Sequence, residues 1–271
     1  MYTLSNTQLT VTVLDPIADR ERFGTRYCVG GYIFQVADAR LGDLLSGPTF
    51  PESFSVFDGQ GLPEAFNLSP LRDASQGEDL ALILGIGVCD LKANTPKDRA
   101  VWTVDHGVDT LTMRTTHLFG SYHIEVERVV ALHNRTVCSA TTVRNFGHGW
   151  VPLKWFPHPF FPQPKTDELF KVNIPVQISD NPGYTLEPSG FIQRKGWPWT
   201  EGFFLPLDHN ADTNLIVFQR HPKVGMVTAT CSYRPDFFPI WGNPRTFSWE
   251  PFLERTIGAK QNLAWSVTYD F

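Results

Sequence analysis

The sequence is short of charge, of cysteine and of long apolar runs, and each shortage removes a class of protein. Charged residues make up 19% of its 271 residues, below the roughly 25% of an average soluble chain. The 23 Lys and Arg stand against 28 Asp and Glu, for a net charge of -5 with no basic block. Nucleic acid and membrane are therefore not expected as partners. The four cysteines, Cys28, Cys89, Cys138 and Cys231, form no Cys-x-x-Cys pair, which argues against a disulfide scaffold or a structural zinc. The eight histidines show no paired spacing to a carboxylate, so no metal is expected. The longest apolar run, Ala81 to Val88, is too short to cross a bilayer. Met1 to Leu14 alternates polar and apolar residues and lacks the pattern of a secretory signal. A soluble, cytoplasmic protein is expected, with the glycosylation-type triplets at Asn67 and Asn134 read as coincidences. No Gly-x-Ser-x-Gly segment is present, and Gly85-Ile86-Gly87 lacks a third glycine and a following helix. The usual hydrolase elbow and a dinucleotide site are therefore not expected.

What the chain does hold is aromatic and turn-forming residues: 13% Phe, Trp and Tyr, with Gly and Pro at 21 each. Tyr122, Ile124, Val126, Val130 and Leu132 alternate with polar residues, the period of a half-buried strand. Leu263, Trp265, Val267, Tyr269 and Phe271 repeat the pattern at the C-terminus. Further strand-like stretches lie near 7–14, 29–36, 79–88, 109–119, 136–145, 151–156, 168–174, 213–219 and 224–233, separated by turn signals such as Asn181-Pro182-Gly183 and Gly242-Asn243-Pro244. No window carries a capped helical pattern. An all-β sandwich of large antiparallel sheets follows, with helix a small minority. Residues 43–78 are expected to be loop. No repeat or composition shift divides the chain, so residues 1–271 read as one domain.

The most unusual local text is Trp155-Phe156-Pro157-His158-Pro159-Phe160-Phe161-Pro162. Proline fixes its own φ and pushes the preceding residue into extended conformations, so flanking prolines aim His158 by its backbone. Imidazole is the side chain that titrates near neutrality and suits acid or base work. The competing reading is a strand-end histidine packed on aromatic neighbours.

Upstream stands Val143-Arg144-Asn145-Phe146-Gly147, a strand ending in an Asn-x-Gly turn. Strand, turn, strand and His-Pro-Phe-Phe in that order resemble the aldose 1-epimerase, or galactose mutarotase-like, superfamily. Phe247-Ser248-Trp249-Glu250-Pro251 is similar to that family's strand with a catalytic glutamate, and Gly258, Trp265 and Tyr269 to its closing turn and final strand. The likeness covers roughly residues 136–271; earlier, Arg26 and Gly30-Gly31-Tyr32-Ile33 look like an early segment of such proteins. The resemblance implies a β-supersandwich whose concave face holds a small-molecule carbohydrate, with Glu250 as base, His158 as acid and no cofactor. Opening a hemiacetal needs one group to take the C1 hydroxyl proton and another to protonate the ring oxygen, which suits a carboxylate and an imidazolium. The imidazole and carboxylate are expected to face each other across a cleft with room for a pyranose between them.

Other residues compete for roles. Asp208 has the lettering of the family's sugar-binding aspartate, and Arg26 could donate to sugar hydroxyl or phosphate oxygens. Trp197, Trp199 and Trp241 could stack on a sugar ring, against the bland reading of core or loop packing. Glu254 shares parity with Glu250 and, on a continuous strand, would face the same side as a rim carboxylate or an alternative base. His106, His117 and His123 lack the surroundings of the earlier histidine that helps such enzymes hold sugar. The rival function is a carbohydrate-binding protein of the same fold without turnover.

Overall fold

The alternation in residues 122–132 becomes the strand Tyr122–His133, with Ile124, Val126, Val130 and Leu132 buried on one face. A computed structural model describes residues 1–20, 29–46, 60–199 and 201–271; Arg26 and Cys28 lie outside the described residues. Within them, the chain forms 25 strands and one 3-10 turn, Ala74–Gln76. Among the described residues no helix is long and apolar enough to cross a membrane.

The largest sheet has ten strands in the order Tyr184–Leu186, Ile192–Arg194, Glu168–Val172, Ile216–His221, Gly225–Cys231, Asn262–Asp270, Thr136–Asn145, Tyr122–His133, Thr110–Phe119 and Thr103–His106, each neighbour antiparallel. In the C-terminal strand Trp265, Val267 and Tyr269 are buried, as the alternation requires. A five-stranded sheet runs Phe161–Pro162, Thr246–Trp249, Phe238–Gly242, Phe203–His209, Val176–Gln177. A three-stranded one runs Leu253–Ile257, Val151–Pro157, Glu64–Ala65.

One face of the five-stranded sheet packs on the large sheet. Phe247 stacks on Phe170 with centroids 6.5 Å apart, and Trp249 lies 6.1 Å from Tyr269. Trp249 is fully buried, and truncating such a residue costs about 3–5 kcal/mol. Strand alternation then turns Ser248 and Glu250 to the opposite face.

Two expectations need adjusting. The run 79–88 is a hairpin of Leu80–Ile83 and Gly87–Asp90 rather than one strand. Gly85 turns it at φ +78, where a side chain would also collide with Val29. The strand expected over 29–36 is Ile33–Asp38, because Gly30 lies at φ +76 with its α-carbon against the Trp102 indole, a conformation outside the β region. The predicted turns hold. Asn181 Oδ1 accepts from the Gly183 and Tyr184 amides, and Asn243 Oδ1 from those of Arg245 and Thr246.

Candidate functional site

The strand Val151–Pro157 ends one residue before His158. The following Phe161–Pro162 pairs with Phe247 and Thr246, so His158, Pro159 and Phe160 cross from one sheet to the next. Proline cannot donate, and the two amides left in this crossing are both used: His158 N–H donates to the Pro63 carbonyl at 2.8 Å and Phe160 N–H to that of Gly61 at 2.7 Å. The imidazole stacks on Phe160, centroids 4.4 Å apart, and meets Trp241 at 6.0 Å. These amide bonds and the stacking hold the imidazole at the end of the strand.

Glu250 stands at the end of Thr246–Trp249, its amide donating to the Pro239 carbonyl at 2.9 Å. Pro251 carries no amide proton; its carbonyl accepts from the Tyr233 hydroxyl at 2.8 Å. Burial pushes the Tyr233 phenol well above its ordinary value and keeps it a donor. The Tyr184 phenol is also raised, by burial and then by the charge of Glu250.

These elements bring His158 Nε2 to 3.2 Å from Glu250 Oε1, with the two side chains 9% and 7% exposed. Leu14, Tyr32, Ala65, Phe156, Phe160 and Phe252 form an apolar cluster with Phe34, Phe237 and Trp241 against it, and Phe156, Phe160 and Trp241 meet the imidazole. The pair is thus in contact, and no pyranose fits between its members. Hemiacetal chemistry does not need that space: the C1 hydroxyl and the ring oxygen are bonded to the same carbon, so adjacent donor and acceptor atoms match adjacent reacting oxygens. A contacting carboxylate and imidazole can also pass a proton between them.

The remaining candidates divide. Trp241 joins the pair. Trp199 does not: it packs on Tyr184 and Phe203 and against Gly242, on the face turned to the large sheet. Trp197 stacks under the Arg194 guanidinium at 3.9 Å, and Arg194 is tied to Asp167 and Gln163. Asp208 is exposed and shares a sheet face with Glu250, two strands away and two residues along, about 12 Å at ordinary strand spacing and rise. Glu254 lies in the next strand, Leu253–Ile257. Phe252 still pairs with Phe237 in the register of the Glu250 ladder, and Leu253–Ile257 then belongs to another sheet, where Glu254 pairs with Lys154 at 2.6 Å in the open. His106 and His123 are exposed, and His117 is buried with Nε2 accepting from the Gly85 amide at 3.0 Å.

One group escaped sequence reasoning. Arg128, 1% exposed, forms a buried ion pair with Glu64. Arg128 also donates to Thr141 and, at 2.9 Å, to Ser139. Glu64 further accepts from Ser139 at 2.5 Å and from Trp155 Nε1 at 3.1 Å. Because Glu64 follows Pro63 and pairs with Pro157, this network ties the His158 segment to the large sheet. The available signal was Arg128 itself, a charge at a position where the strand's alternation calls for an apolar residue.

No family model and no curated protein matches the chain. Solved structures do. A galactose mutarotase related enzyme from Lactobacillus acidophilus is similar with a TM-score of 0.65 at 13% identity, over 99% of this chain and 96% of that one. A galactose mutarotase-like protein from Lactobacillus casei gives 0.56 at 12% identity, over 100% and 99%. An aldose epimerase homologue from C. elegans gives 0.51 at 9% identity, over 98% and 97%. The chain has the galactose mutarotase-like fold.

Proposed function

We propose that the protein interconverts the anomers of an aldose or modified aldose by general acid–base catalysis. The observation that carries this reading is the 3.2 Å contact between His158 Nε2 and Glu250 Oε1 inside an aromatic cluster. In the ring-opening direction Glu250 takes the proton of the C1 hydroxyl as the C1 carbonyl forms. The bond between C1 and the ring oxygen breaks, and the imidazolium of His158 gives its proton to that oxygen. Rotation about C1–C2 presents the other carbonyl face, and the protons return by the same two groups. The neighbouring folds support a sugar substrate at the level of fold, which does not by itself define activity.

The second reading, a carbohydrate-binding protein without turnover, draws on the low exposure of both side chains, 9% and 7%. One experiment separates the two: anomer exchange followed by NMR or polarimetry across a panel of free aldoses. Acceleration over buffer that disappears in Glu250→Gln supports the enzyme. Sugar binding with no acceleration supports the rival.

A further inference from the structure

Trp241 is the last aromatic of the cluster around His158, yet its sheet face continues outward. Phe204 lies directly across the ladder from Trp241, and Pro206 across from Pro239. Directly opposed residues share a face with Cβ atoms about 5 Å apart. The same face holds Glu250, whose amide bonds Pro239, and it ends on the carboxylate of Asp208, two residues beyond Pro206. Burial falls along this line: Pro239 is buried, Trp241 half-buried, and Phe204, Pro206 and Asp208 are exposed. Phe204 presents 51% of its surface to solvent. Gly202, next on the same face, has its α-carbon against the Trp241 indole, where a Cβ would meet Nε1 at 2.6 Å. The indole is thereby laid across the sheet toward the open strip.

From this arrangement we infer a second sugar subsite, with a reducing disaccharide as the substrate class. The inference rests on the reading above, that C1 of a sugar is held at His158 and Glu250. The ring that reacts occupies the enclosed end. The ring linked to it lies over Phe204 and Pro206, and Asp208 accepts from its hydroxyls. An aromatic ring offers the apolar face of a pyranose a flat, amphipathic surface, and a carboxylate orients hydroxyl donors. A free monosaccharide held at the pair reaches Trp241 and leaves the outer strip in water.

The test compares cellobiose, maltose and galactobiose with D-glucose and D-galactose, using anomer exchange by NMR. The expected result is a higher kcat/KM for at least one disaccharide than for its reducing-end monosaccharide. Phe204→Ala should reduce that preference about tenfold, chiefly through KM, the size of one lost apolar contact. Phe204→Trp should restore it, and Asp208→Asn should lower it. The inference is overturned if every disaccharide reacts more slowly than its monosaccharide, or if Phe204→Ala leaves the ratio at its wild-type value. If no sugar of either kind exchanges faster than in buffer, the epimerase reading fails. The subsite is then decided by tryptophan-fluorescence titration with the same sugars: it stands if a disaccharide binds more tightly and Phe204→Ala removes the gain, and falls otherwise.

Discussion

Two buried glutamates in this fold have cationic or titratable partners, and they differ in what the partner can do. Glu64 meets Arg128 between the sheets, with Ser139, Thr141 and Trp155 completing the hydrogen bonds. Glu250 meets His158 among aromatic rings, the two side chains retaining 7% and 9% exposure. Arginine does not release its proton in proteins, so the first pair is fixed as ions and can only hold strands together. Histidine exchanges its proton near neutrality, so the second pair can hand one to a substrate. Similar burial therefore gives a clamp in one place and a candidate acid–base site in the other, and the clamp holds the segment that carries the histidine.

The largest effect expected from breaking this comparison is on stability. Arg128→Met leaves Glu64 charged and without its cation, and removing one member of a buried pair costs about 3–5 kcal/mol. Replacing both, Arg128→Met with Glu64→Leu, should recover much of that loss. Urea unfolding of the two variants measures it. A cost below about 1 kcal/mol for the single variant would show that the clamp carries little of the fold.

His117 sharpens the contrast from the other side, as a histidine buried without a carboxylate. Burial pushes its pKa down from 6.5 to about 4. Between those values the unfolded chain binds the proton and the folded chain does not, so stability rises with pH in that window. The associated contribution, about 3 kcal/mol, is fully present above pH 6.5 and lost as pH falls through 4. His221 is lowered in the same direction, mainly by burial. Denaturant unfolding at pH 7.5, 5.5 and 4.5 should show a shallower acid loss in His117→Asn than in wild type. Equal slopes would assign the acid sensitivity to other groups.

Catalysis is where the two pairs should separate most cleanly. Glu250→Gln and His158→Asn should each lose at least about 10² in kcat, about 2.7 kcal/mol. The double variant should lose far less than the product, because the groups serve one coupled transfer. All three should remain folded by circular dichroism and bind sugar. If Glu250→Gln turns over normally, the proton chemistry lies elsewhere.

Much of this was legible because it is local. Period-2 alternation identified the strands, and flanking prolines drew attention to His158. The clamp was harder to read: its members lie on distant strands, and Glu64 falls in a stretch with almost no pattern of its own. The placing of Glu254 has a physical cause too. The pairing that carries Glu250 runs in register as far as Phe252 opposite Phe237, and only from Leu253 does the chain join Val151–Pro157, where Glu254 meets Lys154 in the open. Trp199 was a candidate by residue type alone, and only the register of Phe203 with Gly242 places it on the core side.

Glu254 supplies the smallest expected effect and a direct check on the register. Its partner Lys154 lies 2.6 Å away with both side chains over a third exposed, and such pairs contribute about 0–1 kcal/mol. Lys154 also sits 5.2 Å above the Phe252 ring, and Phe252 stacks on Phe156 in the wall beside His158. Glu254→Gln removes the charge but leaves the lysine stem and its ring contact in place. Stability should therefore change by less than about 1 kcal/mol, and kcat should stay within about twofold of wild type. The rate is the decisive measurement. A loss as large as that of Glu250→Gln would make Glu254 the base and break the separation between the sheet that carries Glu250 and the one that carries its neighbour.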